Sequence, residues 1–217
     1  MKQKLVGLIR VITIKDEELL NVHGRIIEEH FPELRVVTKC IPDQPRGIYD
    51  EESERKAIPK IVNLGMEMAD TGIKALIISC AADPGVKELR EKVSIPVIGA
   101  GSASAHIAAS ISDRIGVLTL TNEIPRIVSE VLNDKIRAWT SPAGVKNTLD
   151  LMKSNMRGKI IEAAISLVEK NCEAILLACT GFSTIKIADE IRNAVSIPVI
   201  DPVVASGAIA WMLLKET

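Results

Sequence analysis

Six residues, VSIPVI, occur twice in the chain, at 93–98 and again at 195–200. Two further pairs of similar segments occur in the same order, IKALIISC (73–80) with CEAILLAC (172–179) and KLVGLIRVIT (4–13) with DRIGVLTLTN (113–122). Three matches in one order indicate an internal duplication, because chance similarity does not readily keep the order. The chain is therefore predicted to contain two copies of one structural unit, residues 1–112 and 113–217.

Each copy alternates continuous apolar runs with segments that have helical spacing. In the first copy the apolar runs are LVGLIRVI, ALIISC and IPVI. Such runs are typical of parallel strands that are covered on both faces, so the fold class is α/β with two similar doubly wound parallel-sheet units. We expect a pseudo-two-fold axis between the units and a cleft where they face each other. The apolar C-terminal helix, 203–217, could pack on its own unit, back onto the first unit or on another subunit.

The composition fits this two-unit architecture and excludes other classes of protein. Of the 217 residues, 27 are Lys or Arg and 28 are Asp or Glu, so the net charge is −1, and aromatic residues make up 2 %. A chain of this length and apolar content buries enough surface to fold, which excludes intrinsic disorder. It has no broad phosphate-neutralising surface and no base-stacking platform, so we expect no nucleic-acid partner.

No segment has the composition of a membrane span or a signal peptide. Residues 93–112 contain no Asp, Glu, Lys or Arg, but Pro96, the glycines and five serines make a poor spanning helix. The N-terminal apolar run is short, is interrupted by Arg10 and lacks a small-residue cleavage site. We therefore expect a cytoplasmic protein without a membrane partner.

The cysteines and histidines do not predict a metal site. The four cysteines are Cys40, Cys80, Cys172 and Cys179, and no two of them have C-x-x-C spacing. The three histidines are scattered, and we expect His23 and His30 to be solvated on one helix. In a reducing compartment these thiols stay free, so each is either an inert core residue or a reactive group.

Cys80 and Cys179 occupy equivalent positions, each at the end of an apolar strand and just before a helix. Strand-end backbone N–H groups and the helix dipole are expected to lower a thiol's pKa there. Two facing thiols could invert a carbon next to a carbonyl, one removing a proton and the other returning one on the opposite face. The alternative is that both are small buried hydrophobic residues. Repetition of the pair favours chemistry, whereas Cys40 and Cys172 have no counterparts and are interpreted as structural.

The segments around these two cysteines resemble a known superfamily. CAADPGV at 80–86 with IPVIGAG at 95–101, and ACTG at 178–181 with IPVID at 197–201, are similar to motifs of the aspartate/glutamate racemase superfamily, and most similar to those of hydantoin racemases. The resemblance implies a two-domain α/β racemase that needs no cofactor and no metal. It also implies that Cys80 and Cys179 are the catalytic pair, that the partner is a small-molecule substrate, and that the chain forms a homo-oligomer.

The resemblance further implies a set of substrate contacts: Thr13, Ala81, Thr119, Thr121, Thr180 and Gly181. For the threonines, a strand-end hydroxyl that caps the next helix is the alternative role. Two segments differ from the hydantoin racemase pattern. Residues 11–14 are VITI where those enzymes tend to have an Asn-Pro-Asn turn, and 102–104 are SAS where they tend to have a glutamate.

The favoured hypothesis is a racemase of 5-substituted hydantoins. A racemase of aspartate or glutamate is the first alternative, and it would need a cation such as Arg10 or Arg46 for the side-chain carboxylate. A related isomerase or decarboxylase and a non-catalytic binding protein are the others. The loop at 42–53 is either a lid or a connector, and the glycine-rich 99–101 segment could cradle an anion.

Overall fold

The structure, a computed structural model, describes residues 3–121, 123–145, 147–153 and 155–215. It contains two four-stranded parallel sheets. The first has the order β2-β1-β3-β4 and consists of β1 (Lys4–Arg10), β2 (Leu34–Cys40), β3 (Ala75–Ser79) and β4 (Val97–Gly99). The second has the order β6-β5-β7-β8 and consists of β5 (Ile115–Leu118), β6 (Ile136–Thr140), β7 (Ala174–Leu177) and β8 (Val199–Ile200).

The strand order and register repeat between the two sheets. In the first sheet Gly7 lies opposite Leu76, and in the second Gly116 lies opposite Ile175. The two central strand pairs are therefore superimposable residue by residue, which makes Cys80 and Cys179 structural equivalents. The predicted α/β class with two similar parallel-sheet units is confirmed.

Helices follow the strands, with bounds that differ in places from the apolar pattern. They are α1 (Glu17–His30), α2 (Glu51–Ala69), α3 (Val86–Arg90), α4 (Ala100–Ile111), α5 (Arg126–Leu132), α6 (Met156–Glu169), α7 (Thr180–Thr184), α8 (Ala188–Val195) and α9 (Pro202–Lys215). The single helix expected at 183–194 is wrong, because Lys186 has a φ of 50° and separates α7 from α8. Helix α5 was not predicted at all.

Local sequence sets where the first two helices begin. The carboxylate of Asp16 accepts the Leu19 N–H at 2.8 Å and caps α1. At α2, Asp50 and Ser53 form a reciprocal capping box, in which each side chain accepts the other's backbone N–H. Caps of this kind satisfy N–H groups that have no partner inside the helix.

The two sheets share one apolar core. Alternate strand residues, such as Leu8 and Ile77 in the first sheet and Val117 and Leu176 in the second, belong to a single buried cluster. The opposite faces of the sheets have separate cores, with α2 and α3 over the first sheet and α6 and α8 over the second. Each sheet is therefore covered on both faces, as its continuous apolar strands require.

Two helices cross between the halves. Helix α4 follows β4 of the first sheet, yet it also packs on β7 and β8 of the second. Helix α9 follows β8 of the second sheet, yet it packs on β3, β4 and α1 of the first, and Trp211 lies 6.1 Å from Phe31 between ring centroids. The helix expected at 203–217 thus contacts the first half over its described part. Among the described residues, none of the helices has the length and apolar character needed to cross a bilayer.

Candidate active site

A cleft of about 700 Å³ lies where the central strands of both sheets end. Cys80 follows β3 on the first half and Cys179 follows β7 on the second, and both partly exposed side chains line the cleft. Four of the predicted substrate contacts also line it: Ala81, Thr121, Thr180 and Gly181. The structure therefore brings together one thiol from each half, with strand-end backbone around both.

The surroundings of Cys179 favour its thiolate in three ways. Its sulfur accepts the Gly181 N–H at 3.3 Å, at the start of α7. The Thr148 hydroxyl also bonds to this sulfur, and the guanidinium of Arg10 adds positive charge. Burial nevertheless outweighs these contacts and raises the pKa of the Cys179 thiol.

Cys80 lies in a more unfavourable environment for negative charge. Burial raises the pKa of its thiol to about 12, against a bond from the Ala82 N–H, and Cys179, Asp83 and Glu54 raise it further. The lowered thiol pKa expected from the strand-end positions is wrong for both cysteines, because desolvation exceeds the effect of the backbone donors. A thiolate formed here is a stronger base than one in water.

The glycine-rich segment after β4 is occupied by a carboxylate of the chain itself. Asp83 accepts the backbone N–H groups of Gly101 at 2.7 Å and Ser102 at 2.9 Å, at the start of α4. A β-carbon at Gly99 would overlap the Asp83 carboxylate, and one at Gly101 would overlap the Ala81 carbonyl oxygen. The anion that this segment was expected to cradle is therefore Asp83, which ties the Cys80 loop to α4.

Two of the predicted substrate contacts lie elsewhere. The Thr13 hydroxyl donates to the Ile41 carbonyl at 2.9 Å and accepts the Gln44 N–H at 2.7 Å, and Thr13 does not line the cleft. Thr119 is fully buried and directs its hydroxyl at the carbonyl oxygens of Thr121 and Thr140. The sequence pairing of Thr13 with Asn122 falls outside the described residues.

The loop at 42–53 borders the cleft but keeps its arginine away from it. Buried Gln44 donates to the carbonyl oxygens of Gly47 and Ser53, at 3.1 and 3.0 Å, and so fixes the loop. The guanidinium of Arg46 stacks over the Tyr49 ring at 4.4 Å. Gly47 and Tyr49 line the cleft, whereas Arg46 does not.

Comparison with known proteins identifies the family. A sequence model of the Asp/Glu/Hydantoin racemase family matches residues 19–210. The chain belongs to this family. Its members are racemases, so the protein is an isomerase of the racemase type.

Relatives of this racemase agree in sequence and in fold. A hydantoin racemase of Rhizobium meliloti is 30 % identical over 183 residues, which are 79 % of this chain and 73 % of that protein. A hydantoin racemase of Pseudomonas sp. (strain NS671) is 29 % identical over 170 residues, 74 % of this chain and 66 % of that protein. The structure of an allantoin racemase from Klebsiella pneumoniae superimposes with a TM-score of 0.85 at 21 % identity, covering 99 % of this chain and 89 % of that one.

Sequence reasoning missed three site residues of the racemase. His23, expected to be solvated, is fully buried, and the expectation is wrong because its partners come from distant parts of the chain. Glu54 is half-buried in the cleft wall and close enough to Cys80 to raise its pKa. Thr148 lies in a short 3-10 turn and had no sequence signal. No group of three or more metal-ligating side chains occurs within the described ranges.

Proposed function

We propose that this racemase inverts 5-substituted hydantoins without a cofactor, with Cys80 and Cys179 as its two catalytic acid–base groups. The observation that carries the proposal is the arrangement of the thiols. They occupy equivalent positions of a duplicated fold and line a single cleft, one from each half. A reaction with an acid and a base on opposite faces of one carbon requires this arrangement.

The reaction follows from the chemistry of the two groups. The thiolate of one cysteine removes the proton from the ring carbon C5, and the electron pair of the broken C–H bond moves into the adjacent carbonyl to give a planar enolate. The thiol of the other cysteine then donates its proton to the opposite face of C5. The product is the mirror-image hydantoin, and the enzyme is left with the proton on the first cysteine.

The pKa values of the thiols suit this reaction. Burial raises the pKa of both thiols, and this brings the base closer in strength to the weakly acidic C5–H. Proton transfer is most efficient when the pKa values of donor and acceptor are close. We assign the cleft-lining residues Ala81, Thr121, Thr180 and Gly181 to contacts with the ring and with the enolate oxygen.

The charges of the cleft support a ring substrate over a free dicarboxylic amino acid. Both cations suggested for such a substrate are engaged: Arg10 donates to the carbonyl oxygens of Leu19 and Leu20, and Arg46 stacks on Tyr49. Of the described lysines and arginines that line the cleft, Arg126 pairs with Glu130 at 2.7 Å and Lys87 is exposed. A hydantoin has no α-carboxylate and no ammonium group, so it needs no cationic partner.

The test is solvent deuterium incorporation, followed by mass spectrometry and chiral chromatography. We expect the enzyme to exchange and invert 5-benzyl- and 5-isobutylhydantoin and to leave aspartate and glutamate unchanged. Inversion of the free acids alone would move the assignment to the amino acid racemases. Binding without exchange would favour a non-catalytic protein, and loss of carboxylate from an arylmalonate would favour a decarboxylase.

The proposal includes an assembly and a compartment. We propose a homo-oligomer in the cytoplasm. The four cysteines are all free, as thiols are in a reducing compartment. Light scattering of the purified chain tests the oligomer, and a monomer at micromolar concentration would contradict it.

A further inference from the structure

A buried histidine joins the two segments that carry the thiols. His23 of α1 is fully buried, and its Nδ1 lies 2.8 Å from the Ser79 hydroxyl. Its Nε2 lies 2.8 Å from the Thr184 hydroxyl. Ser79 directly precedes Cys80, and Thr184 ends helix α7, whose first turn is capped by Cys179. The ring thus bridges the first half of the molecule to the second beneath both cysteines.

Further hydrogen bonds close this connection. The Thr180 hydroxyl donates to the Ser79 carbonyl oxygen at 3.1 Å, so α7 is tied to the end of β3 a second time. Arg10, which is 4 % exposed, donates to the Thr184 hydroxyl at 3.3 Å. The same guanidinium holds α1 through the Leu19 carbonyl oxygen at 3.1 Å. We call His23, Ser79, Thr184 and Arg10 the bridging network.

The bridging network suits a neutral imidazole. Both partners of the ring are hydroxyls, so one ring nitrogen donates and the other accepts, and every polar atom is satisfied. Burial, and then the charge of Arg10, lower the pKa of His23 well below its usual range. Because the histidine does not line the cleft, it has no contact with substrate and does not act as an acid or a base.

We propose that His23 is a positioning residue, which acts with Ser79 and Thr184 to hold the Cys80 and Cys179 thiols in register across the cleft. The inference rests on the proposed two-thiol racemisation. That reaction needs both sulfurs aligned with one carbon at the same time, whereas proton exchange on one face needs a single sulfur. Loosening the bridging network therefore reduces inversion more than it reduces exchange.

The test uses two variants and two matched controls. Thr184→Val and His23→Gln alter the bridging network. Thr38→Val is the matched control for the first, because the buried Thr38 hydroxyl has no hydrogen-bond partner. His30→Gln is the control for the second, since it makes the same substitution on the same helix, where His30 bonds only locally to the Ile26 carbonyl. Circular dichroism and urea denaturation confirm that each variant is folded.

Two rates are measured on one enantiomer of 5-benzylhydantoin in D₂O: inversion, and deuterium incorporation into the recovered starting enantiomer. We expect inversion to fall roughly tenfold or more in both network variants, because small misplacements of reacting groups are costly. Exchange should fall by about threefold at most, so the ratio of inversion to exchange drops, while both controls keep the wild-type ratio. An unchanged ratio in both variants would overturn the inference, even if both rates fell together.

A second readout does not depend on the substrate. Iodoacetamide alkylation of each cysteine is followed by peptide mass spectrometry, with Cys40 as the internal reference. We expect Thr184→Val to change the alkylation rates of both Cys80 and Cys179 by about threefold or more and to leave Cys40 unchanged. Wild-type rates at both thiols would overturn the inference. If the wild-type enzyme inverts no hydantoin, the proposed function fails, and this measurement still decides whether the bridging network positions the thiols.

Discussion

The two cleft thiols have different neighbours although their strand positions are equivalent. Cys179 has an amide, a hydroxyl and a guanidinium that favour its thiolate, whereas Cys80 has one amide and the negative charges of Asp83 and Glu54. The thiolate therefore forms more readily at Cys179. A substrate enantiomer whose C5–H faces Cys179 meets the readier base.

Replacement of either thiol should separate inversion from exchange. In Cys80→Ala and in Cys179→Ala we expect inversion of 5-benzylhydantoin to fall by roughly 10²–10⁴-fold, the usual contribution of one acid–base group. Each variant should retain deuterium exchange on one enantiomer only, opposite for the two variants. Chiral chromatography with mass spectrometry measures both. Cys40→Ser is the control, and full inversion in either alanine variant would disprove the two-thiol mechanism.

The raised pKa of Cys80 should make stability depend on alkaline pH. Its folded pKa is about 12 against an ordinary value of 9.0, so above pH 9 the unfolded chain loses this proton while the folded chain keeps it. The free energy of unfolding is unaffected below pH 9 and then falls by up to about 1.4 kcal/mol per pH unit. Urea denaturation of wild type and Cys80→Ala between pH 8 and 10 should show the steeper decline in wild type. Parallel slopes would contradict the shift.

Glu54 should influence which substituents the cleft accepts. Its half-buried carboxylate lines the cleft and makes no ion pair within the described residues, and burial and then Glu51 raise its pKa. We expect Glu54→Gln to raise kcat/KM for a carboxyethyl hydantoin relative to the carbamoylethyl hydantoin by about fivefold, equivalent to about 1 kcal/mol. Glu88→Gln is the control, because Glu88 is exposed and outside the cleft lining. An equal ratio in both variants would contradict this role.

At the scale of elements, a carboxylate caps the helix that follows the fourth strand in both halves. In the first half Asp83 reaches across from the Cys80 loop to α4. In the second half Asp201 caps its own helix, α9, by accepting the Val203 N–H at 2.8 Å, and it also accepts the Ser183 hydroxyl at 2.8 Å. The duplicated unit has thus kept the cap while changing the residue that provides it.

The close approach at α4 predicts a costly substitution. Gly101→Ala places a methyl group against the Ala81 carbonyl oxygen, so we expect it to lower the free energy of unfolding by on the order of 3 kcal/mol and to displace the Cys80 loop. Gly158→Ala in α6 is the matched control: no atom lies within 4 Å of the added carbon, and alanine should raise stability by about 1 kcal/mol. Thermal denaturation compares the two. Equal stability of both variants would show that the α4 contact is not tight.

The strands and the thiol pair could be predicted from sequence, whereas several connections could not. Continuous apolar runs need two-sided burial, which identifies β3 and β7, and the repeat marks the cysteines at their ends. Helix α5 has no side-chain cap at its start, so it offered little signal. The role of His23 was invisible because its partners, Ser79 and Thr184, lie 56 and 161 residues away in the chain.

For the whole molecule, the shared central core predicts that both halves unfold together. Trp139 lies on β6 of the second sheet, whereas Trp211 packs beside Phe31 of the first half. Single-tryptophan variants, made with Trp→Phe at the other site, should give urea transitions with the same midpoint. Two separated midpoints would show that the halves are independent.

The crossing of α4 and α9 also limits how a substrate can enter. Opening the cleft as a hinge would pull α4 away from β7 and α9 away from β3, and would expose the core that both sheets share. Exposing that much apolar surface costs far more than binding a small ring returns. Admission and release therefore fall to the segments at the rim, above all 47–49 and 120–125, so turnover should respond to the stiffness of these two loops rather than to any rotation of one half against the other.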